Sequence, residues 1–335
     1  MPPSPAHRAR ALTAALTTAL VLAGCGSDPA AESSPADGGS AGDGAFPVTV
    51  STAFGDVTVE EEPTRVVALG WSDAETALAL GVEPVGASDW LAVGGDDGLG
   101  EWVEDGYGEA PEIIETLEPG YESIAALEPD LILDTRSPAT EDRYELLSAI
   151  APTIGQPEGA DPYLTTWQQQ LEMVGQALGR SDEATELAAE VEQAFAGAAA
   201  EHPEFAGTEV AVGAYTSEGF GAYVTGDSRV AFMEQLGFDN KAEIQELATG
   251  SFSVAVSEEQ LSLLDAELTV VFPIFVESSA FTSNPLWQTL PAVQEGRAVV
   301  LDDLSVLNAF SSASAPGLLY ALEATVPLFA EALAG

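Results

Sequence analysis

From residue 65 onward, short runs of aliphatic and β-branched residues alternate with stretches whose apolar positions recur every three or four residues. Such alternation predicts parallel sheets covered by helices. Runs at 65–69, 84–87 and 130–133 predict buried strands, and 73–80, 121–127 and 141–149 predict helices. Ahead of them, β-branched residues in 47–60 flank Gly55-Asp56 and predict a hairpin. Residues 181–201 carry one unbroken helical pattern, with Leu187, Val191, Ala194, Phe195 and Ala198 on one face. Ser181 is its expected cap, Asp182 and Glu183 suit its first turn, and His202-Pro203 stops it. Strands are then predicted at 209–214, 268–272 and 298–301, and helices at 228–236, 257–264 and from about 316. The expected fold is α/β with two lobes, 46–180 and 204–335, each a mainly parallel sheet flanked by helices. One long helix, within 181–203, joins them.

The first 45 residues follow another pattern. His7, Arg8 and Arg10 precede an uncharged apolar run over 11–23. Residues 1–24 thus read as a secretory signal, too short to span a bilayer as a stable helix. Leu22-Ala23-Gly24-Cys25 resembles the lipobox of bacterial lipoproteins, whose cysteine is acylated and becomes the first mature residue. An ordinary signal peptide with a chance cysteine is the alternative. Residues 26–45, rich in Gly, Ser, Ala, Asp and Pro, suit a flexible tether. The expected location is the extracytoplasmic face of the cell membrane, through the lipid alone. Beyond Cys25 no apolar stretch is expected to approach the length of a membrane span. No disulfide can form within the mature chain, so packing must stabilise the fold.

Charge narrows the partners. The chain carries 55 acidic and nine basic residues, for a net charge of −46. Nucleic acid and anionic lipid surfaces are repelled at long range by such a protein. Beyond the signal, the cations are Arg65, Arg136, Arg143, Arg180, Arg229, Lys241 and Arg297. A hydrophobic fraction of 46% suffices for one large core or two moderate ones, and a monomer is expected.

Several motifs occur in one order. Pro63-Thr64-Arg65-Val66-Val67-Ala68-Leu69 is followed by Leu80-Gly81-Val82-Glu83-Pro84-Val85-Gly86. Next come Glu122-Ser123-Ile124-Ala125-Ala126-Leu127-Glu128-Pro129-Asp130-Leu131-Ile132-Leu133 and, from Tyr144, a stretch ending in Ile150-Ala151-Pro152-Thr153. Val256-Ser257-Glu258-Glu259-Gln260-Leu261 and Leu290-Pro291-Ala292-Val293-Gln294-Glu295-Gly296-Arg297-Ala298 complete the set. Together they resemble the iron–siderophore substrate-binding lipoproteins of ABC importers. The resemblance implies a rigid two-lobed protein that carries a ferric siderophore to a permease. Relatives of that family carry haem or cobalamin, so those ligands stay open. It also implies permease docking through one glutamate per lobe, Glu122 and Glu259, with Glu258 an adjacent alternative to the second.

Ligands of open α/β sheets collect beyond the carboxyl ends of the strands. In the first half that rule nominates Trp71, Trp90, Arg136, Arg143 and Tyr144. In the second it nominates Tyr215, Phe220, Tyr223, Arg229, Phe275, Phe281 and Phe310. Aromatic faces suit the organic shell of a ferric siderophore, and arginine suits its coordinating oxygens. Each aromatic residue could instead be core. Arg136 could pair with Asp134 or Glu141, and Asp227-Ser228 could simply cap the helix beside Arg229.

Protein ligands for a metal are scarce: His202 is the one histidine of the mature chain, and Asp96-Asp97 and Asp302-Asp303 read as solvated turns. Bare ferric iron held by tyrosines, or haem with Tyr215 as axial ligand, stays open. The sequence contains no GxSxG elbow and no phosphate loop, so neither an enzyme nor a resident cofactor is expected. A secreted carboxylate-based hydrolase is the least favoured reading. The few cations favour a neutral or cationic ferric hydroxamate over a trianionic catecholate.

Overall fold

The computed structural model describes residues 46–92, 97–103 and 106–335. The signal sequence, Cys25, the tether and Asp96 lie outside the described residues.

The expected hairpin is present. β1 (Val48–Thr52) pairs antiparallel with β2 (Gly55–Val59), and Gly55 turns with φ 108°. The first sheet contains β3 (Val66–Ala68), β4 (Gly86–Ser88), β5 (Glu112–Ile114), β6 (Leu131–Leu133) and β7 (Thr153–Ile154). Its order is β5-β4-β3-β6-β7 and every pairing is parallel. The chain builds outward from β3 to β5, then returns to β3's other edge with β6. That reversal puts the topological switch point between β3 and β6.

The second sheet holds β8 (Glu209–Thr216), β9 (Gly219–Tyr223), β10 (Asp239–Asn240), β11 (Ser253–Val256), β12 (Leu268–Pro273) and β13 (Ala298–Val300). It runs β11-β9-β8-β12-β13, with β10 also on β8. β8, β12 and β13 are parallel, whereas β9 and β11 are antiparallel additions absent from the sequence expectation.

The long helix is Ser181–Glu201, 21 residues or roughly 30 Å. Its cap position is taken by Arg180 rather than Ser181, which is already the first helical residue. Its inward face, Ala184, Val191 and Phe195, is buried. A Cβ at Gly175, on helix Trp167–Ala177, would come 2.5 Å from the Ala184 side chain, so only glycine permits that helix crossing. Two expectations are corrected. The segment 257–264 is a 3₁₀ helix, Glu258–Leu264. The terminal helix, Ala315–Ala334, is long and apolar enough to cross a membrane by length and composition. It is instead a core helix, since its apolar residues Leu318, Leu322 and Phe329 are buried in the packed interior.

One hydrophobic core runs through both lobes. Val66, Leu131, Leu171 and Val174 continue through Val191 and Phe195 to Val212, Phe272 and Phe329. Smaller cores cover the sheets' outer faces, with Val67, Ile124 and Ile132 in the first and Ala211, Phe220 and Phe281 in the second. The split follows strand periodicity: Val66 and Ala68 face the shared core, Val67 the outer one. Closing the lobes about a hinge would shear this core and bend the long helix against its backbone hydrogen bonds. Scattering curves with and without ligand should therefore nearly superimpose. A compaction of several ångströms would contradict the shared core as a brace.

Candidate functional site

At the switch point, β3 leads into Gly70 and Trp71, and β6 leads into Asp134, Thr135 and Arg136. Backbone bonds clip these ends together: Leu69 N–H donates to Leu133 O at 2.8 Å and Trp71 N–H to Arg136 O at 2.9 Å. Gly70 has no room for a side chain, because a Cβ would lie 2.8 Å from the Arg136 nitrogen. Asp73, fully buried, locks the arrangement from below. Its Oδ2 accepts from Gly70 N–H at 2.9 Å and Thr135 N–H at 3.0 Å. Its Oδ1 accepts from Gln170 Nε2 at 2.6 Å and from the Thr135 hydroxyl. Burial raises the Asp73 pKa to about 6 against these stabilising donors.

Arg136 crosses between the lobes. Its Nη1 donates to Ser312 O at 2.9 Å, its Nη2 to Ser228 Oγ at 2.8 Å and its Nε to Tyr163 O at 3.3 Å. It is 2% exposed, and burial lowers its pKa to about 10. The expected alternative, pairing with Asp134 or Glu141, does not occur. Asp134 is held by Arg143 in a two-pronged pair, at 2.9 Å and 2.8 Å. Ser72 Oγ also donates to Ser312 O, which doubles the seam.

Above this floor stands an aromatic wall drawn from both lobes. Trp71 lies 4.6 Å from Tyr163 and 6.4 Å from Phe252, between ring centroids. Phe252 faces Tyr223 at 6.5 Å. The Arg229 guanidinium covers the Tyr223 ring at 3.8 Å and is fixed by both oxygens of Asp227, at 2.8 Å and 2.6 Å. Arg136 lies 5.8 Å from the Trp71 ring centre. The indole Nε1–H of Trp71 is buried without a hydrogen-bond partner, an unmet donor inside the wall. A cavity of about 330 Å³ adjoins the seam, lined by Thr165, Trp167, Gly226, Ser228 and Gln235.

Backbone strain occurs in the loops that follow β3, β4, β7 and β12. Ser72 (φ 65°), Trp90 (φ 41°), Tyr163 (φ 64°) and Phe275 (φ 55°) are non-glycine residues in left-handed conformation. Phe275, directly beyond β12, is 77% exposed. A strained residue that presents a bare phenyl ring to solvent is the kind of outlier found at ligand sites.

Of the nominated residues, the structure brings together Trp71, Arg136, Tyr223 and Arg229. Phe220 and Phe281 pack instead with Trp287 on the outer face of the second sheet. Tyr215 joins them, 4.7 Å from Phe220, because odd-numbered residues of β8 point away from the shared core. That placement removes Tyr215 as an axial haem ligand in the cleft. Phe310 is fully buried against Phe232, Trp90 is core, and Tyr144 stacks on Phe54 at 4.1 Å to pin the hairpin. Arg143 is committed to Asp134.

Tyr163 and Phe252 were not anticipated. Tyr163 sits in an irregular loop that carries no periodic signal. Phe252 precedes β11, and the alternation Phe252-Ser253-Val254-Ala255-Val256 was a strand signal that could have located it. Glu122 and Glu259 are exposed, in the first turns of helix Tyr121–Ala126 and of the 3₁₀ helix. Glu258 accepts from Asn284 Nδ2 at 3.2 Å.

A model of the family described as periplasmic binding protein matches residues 66–304. The probable siderophore-binding lipoprotein YfiY of Bacillus subtilis (strain 168) is 28% identical over 270 residues, covering 76% of this chain and 80% of that protein. A periplasmic solute binding protein from Mycobacterium smegmatis is 30% identical, with a TM-score of 0.73 over 86% of this chain and 99% of that one. PiaA of Streptococcus pneumoniae, solved in complex with ferrichrome, shares the fold at a TM-score of 0.74 and 24% identity, over 86% and 99% of the two chains.

Proposed function

This chain belongs to the periplasmic binding protein family, and on that premise we propose that it captures a ferric siderophore between its lobes and delivers it to an ABC importer. The supporting observation is the aromatic wall contributed by both lobes, with the unmet Trp71 donor inside it. A siderophore already fills the coordination sphere of iron, so the protein needs faces for the organic shell and donors for its oxygens, not metal ligands. YfiY, similar over most of its length, bears a siderophore-binding description. The lobes are 46–180 and 204–335, Cys25 is the acylated anchor at the extracytoplasmic face, and the protein is a monomer with neither catalytic role nor resident cofactor.

Tryptophan fluorescence tests the ligand class. Ferric chelates should quench emission saturably, and Trp71→Ala should weaken their binding about tenfold, the effect of one lost stacking contact and donor. Silence with every ferric chelate, alongside tight binding of haem or cobalamin, would refute the reading.

Delivery rests on Glu122 and Glu259, which the wild-type fold exposes on separate lobes. The double change Glu122→Arg and Glu259→Arg should leave ligand affinity unaltered and abolish uptake in cells. Normal uptake would remove both from the docking surface.

A further inference from the structure

All seven cations beyond the signal lie among the described residues, and each is already engaged. Arg65 binds Leu127 O and Glu128 O, Arg180 pairs with Glu62, Lys241 with Glu209, and Arg297 with Glu295. None of these four belongs to the aromatic wall. Near the wall, Arg143 is neutralised by Asp134 and Arg229 by Asp227, both through two hydrogen bonds. Arg136 has all three of its nitrogens engaged, two across the lobes and one on Tyr163 O. The loops beyond the strands add charge of the other sign: Glu158, Asp161, Glu277, Asp302 and Asp303 are exposed.

We propose that this cleft selects ferric chelates of zero or positive overall charge, the trishydroxamate type, and rejects polyanionic chelates of the citrate or catecholate type. The inference rests on the siderophore reading above. A polyanion would meet no guanidinium free of other partners, because Asp227 already balances Arg229 and Arg136 is committed to the seam. It would bring further negative charge beside a carboxylate that is already there. Like charge across the acidic loops adds repulsion. A trishydroxamate asks for less. Its carbonyl-type oxygens can accept from the unmet Trp71 Nε1–H, its methylene chains suit the rings, and a protonated amine tail meets the acidic loops favourably.

The test compares three probes on the purified protein by fluorescence titration: ferrioxamine B (cationic), ferrichrome (neutral) and ferric dicitrate (anionic). At low salt the first two should bind about a hundredfold or more tighter than the third. The gap should narrow as salt screens the loops. Asp227→Asn keeps a helix-capping side chain but frees Arg229, and should narrow the gap about tenfold. Ferric dicitrate binding as tightly as the others, or tighter, would overturn the charge selection and leave the siderophore reading standing. Failure of all three to bind would overturn both. Should Asp227→Asn fail to fold, the wild-type comparison decides alone.

Discussion

Replacing Arg136 with alanine is expected to lower the unfolding free energy by about 3–4 kcal/mol and to weaken ligand binding together with it. From the sequence Arg136 is a donor for ligand oxygens or an ion-pair partner of Asp134 or Glu141, but the structure gives the residue a different task. Two hydrogen bonds from a buried guanidinium join the first lobe to Ser312 and Ser228, a third holds Tyr163 O, and loss of so large a side chain would leave a void at the cleft floor. Arg136→Lys keeps the charge but not the fork, so it should recover only part of the loss. Urea denaturation gives the stability, and titration of the same proteins gives the affinity. A loss below about 1 kcal/mol in the alanine variant would show that the seam contributes little.

A comparable effect is expected at Asp73. Its carboxylate is the acceptor for Gly70 N–H, Thr135 N–H, the Thr135 hydroxyl and Gln170. Asp73→Ala leaves these buried donors without a partner, at about 3–5 kcal/mol, and frees the loops that carry Trp71 and Arg136. The wild-type residue also has a pH signature. Its pKa is raised from 3.8 to about 6 in the folded protein, with burial as the main cause. Between those values the folded state binds the proton more tightly than the unfolded chain. Stability from this group is therefore fully present below about pH 4 and declines as pH rises through about 6, by roughly 3 kcal/mol in all. Glu75, buried beside Trp102, has its pKa raised mainly by burial and acts in the same direction. Wild-type protein should thus melt higher at pH 5 than at pH 8, and Asp73→Ala should flatten the difference. An Asp73→Ala profile as steep as the wild type would remove Asp73 as the source.

Long-range order was legible in the sequence where periodicity is strong. Residues 181–201 form the expected helix, and the runs around Val66, Leu131 and Val270 are buried strands of the parallel parts. What escaped were short or glycine-bearing elements. β9 contains Gly219 and Gly221, and both weaken its strand pattern. Helix Trp167–Ala177 was marked by the capping box of Thr166 and Gln169, a signal that a search for apolar runs passes over. At the candidate site, the rule that ligands lie beyond strand ends nominated Trp71 and Arg136, which the fold places beside the switch point. It misplaced Tyr215, Phe220 and Phe281 because strand-end position says nothing about which face a side chain takes. One residue of register decides between cleft and outer core. Arg143 and Arg229 were legible as cations near the site, but their carboxylate partners emerge only from the folded geometry.

The central claim is that an intact ferric chelate sits against the wall shared by the two lobes. Anomalous diffraction at the iron edge, from crystals grown with ferrichrome, tests it most directly. The account predicts one iron peak in the cleft beside the wall of Trp71, Tyr163, Phe252 and Tyr223, with all its coordinating oxygens from the chelate. A peak elsewhere on the molecule, or iron coordinated by protein oxygens, would contradict it.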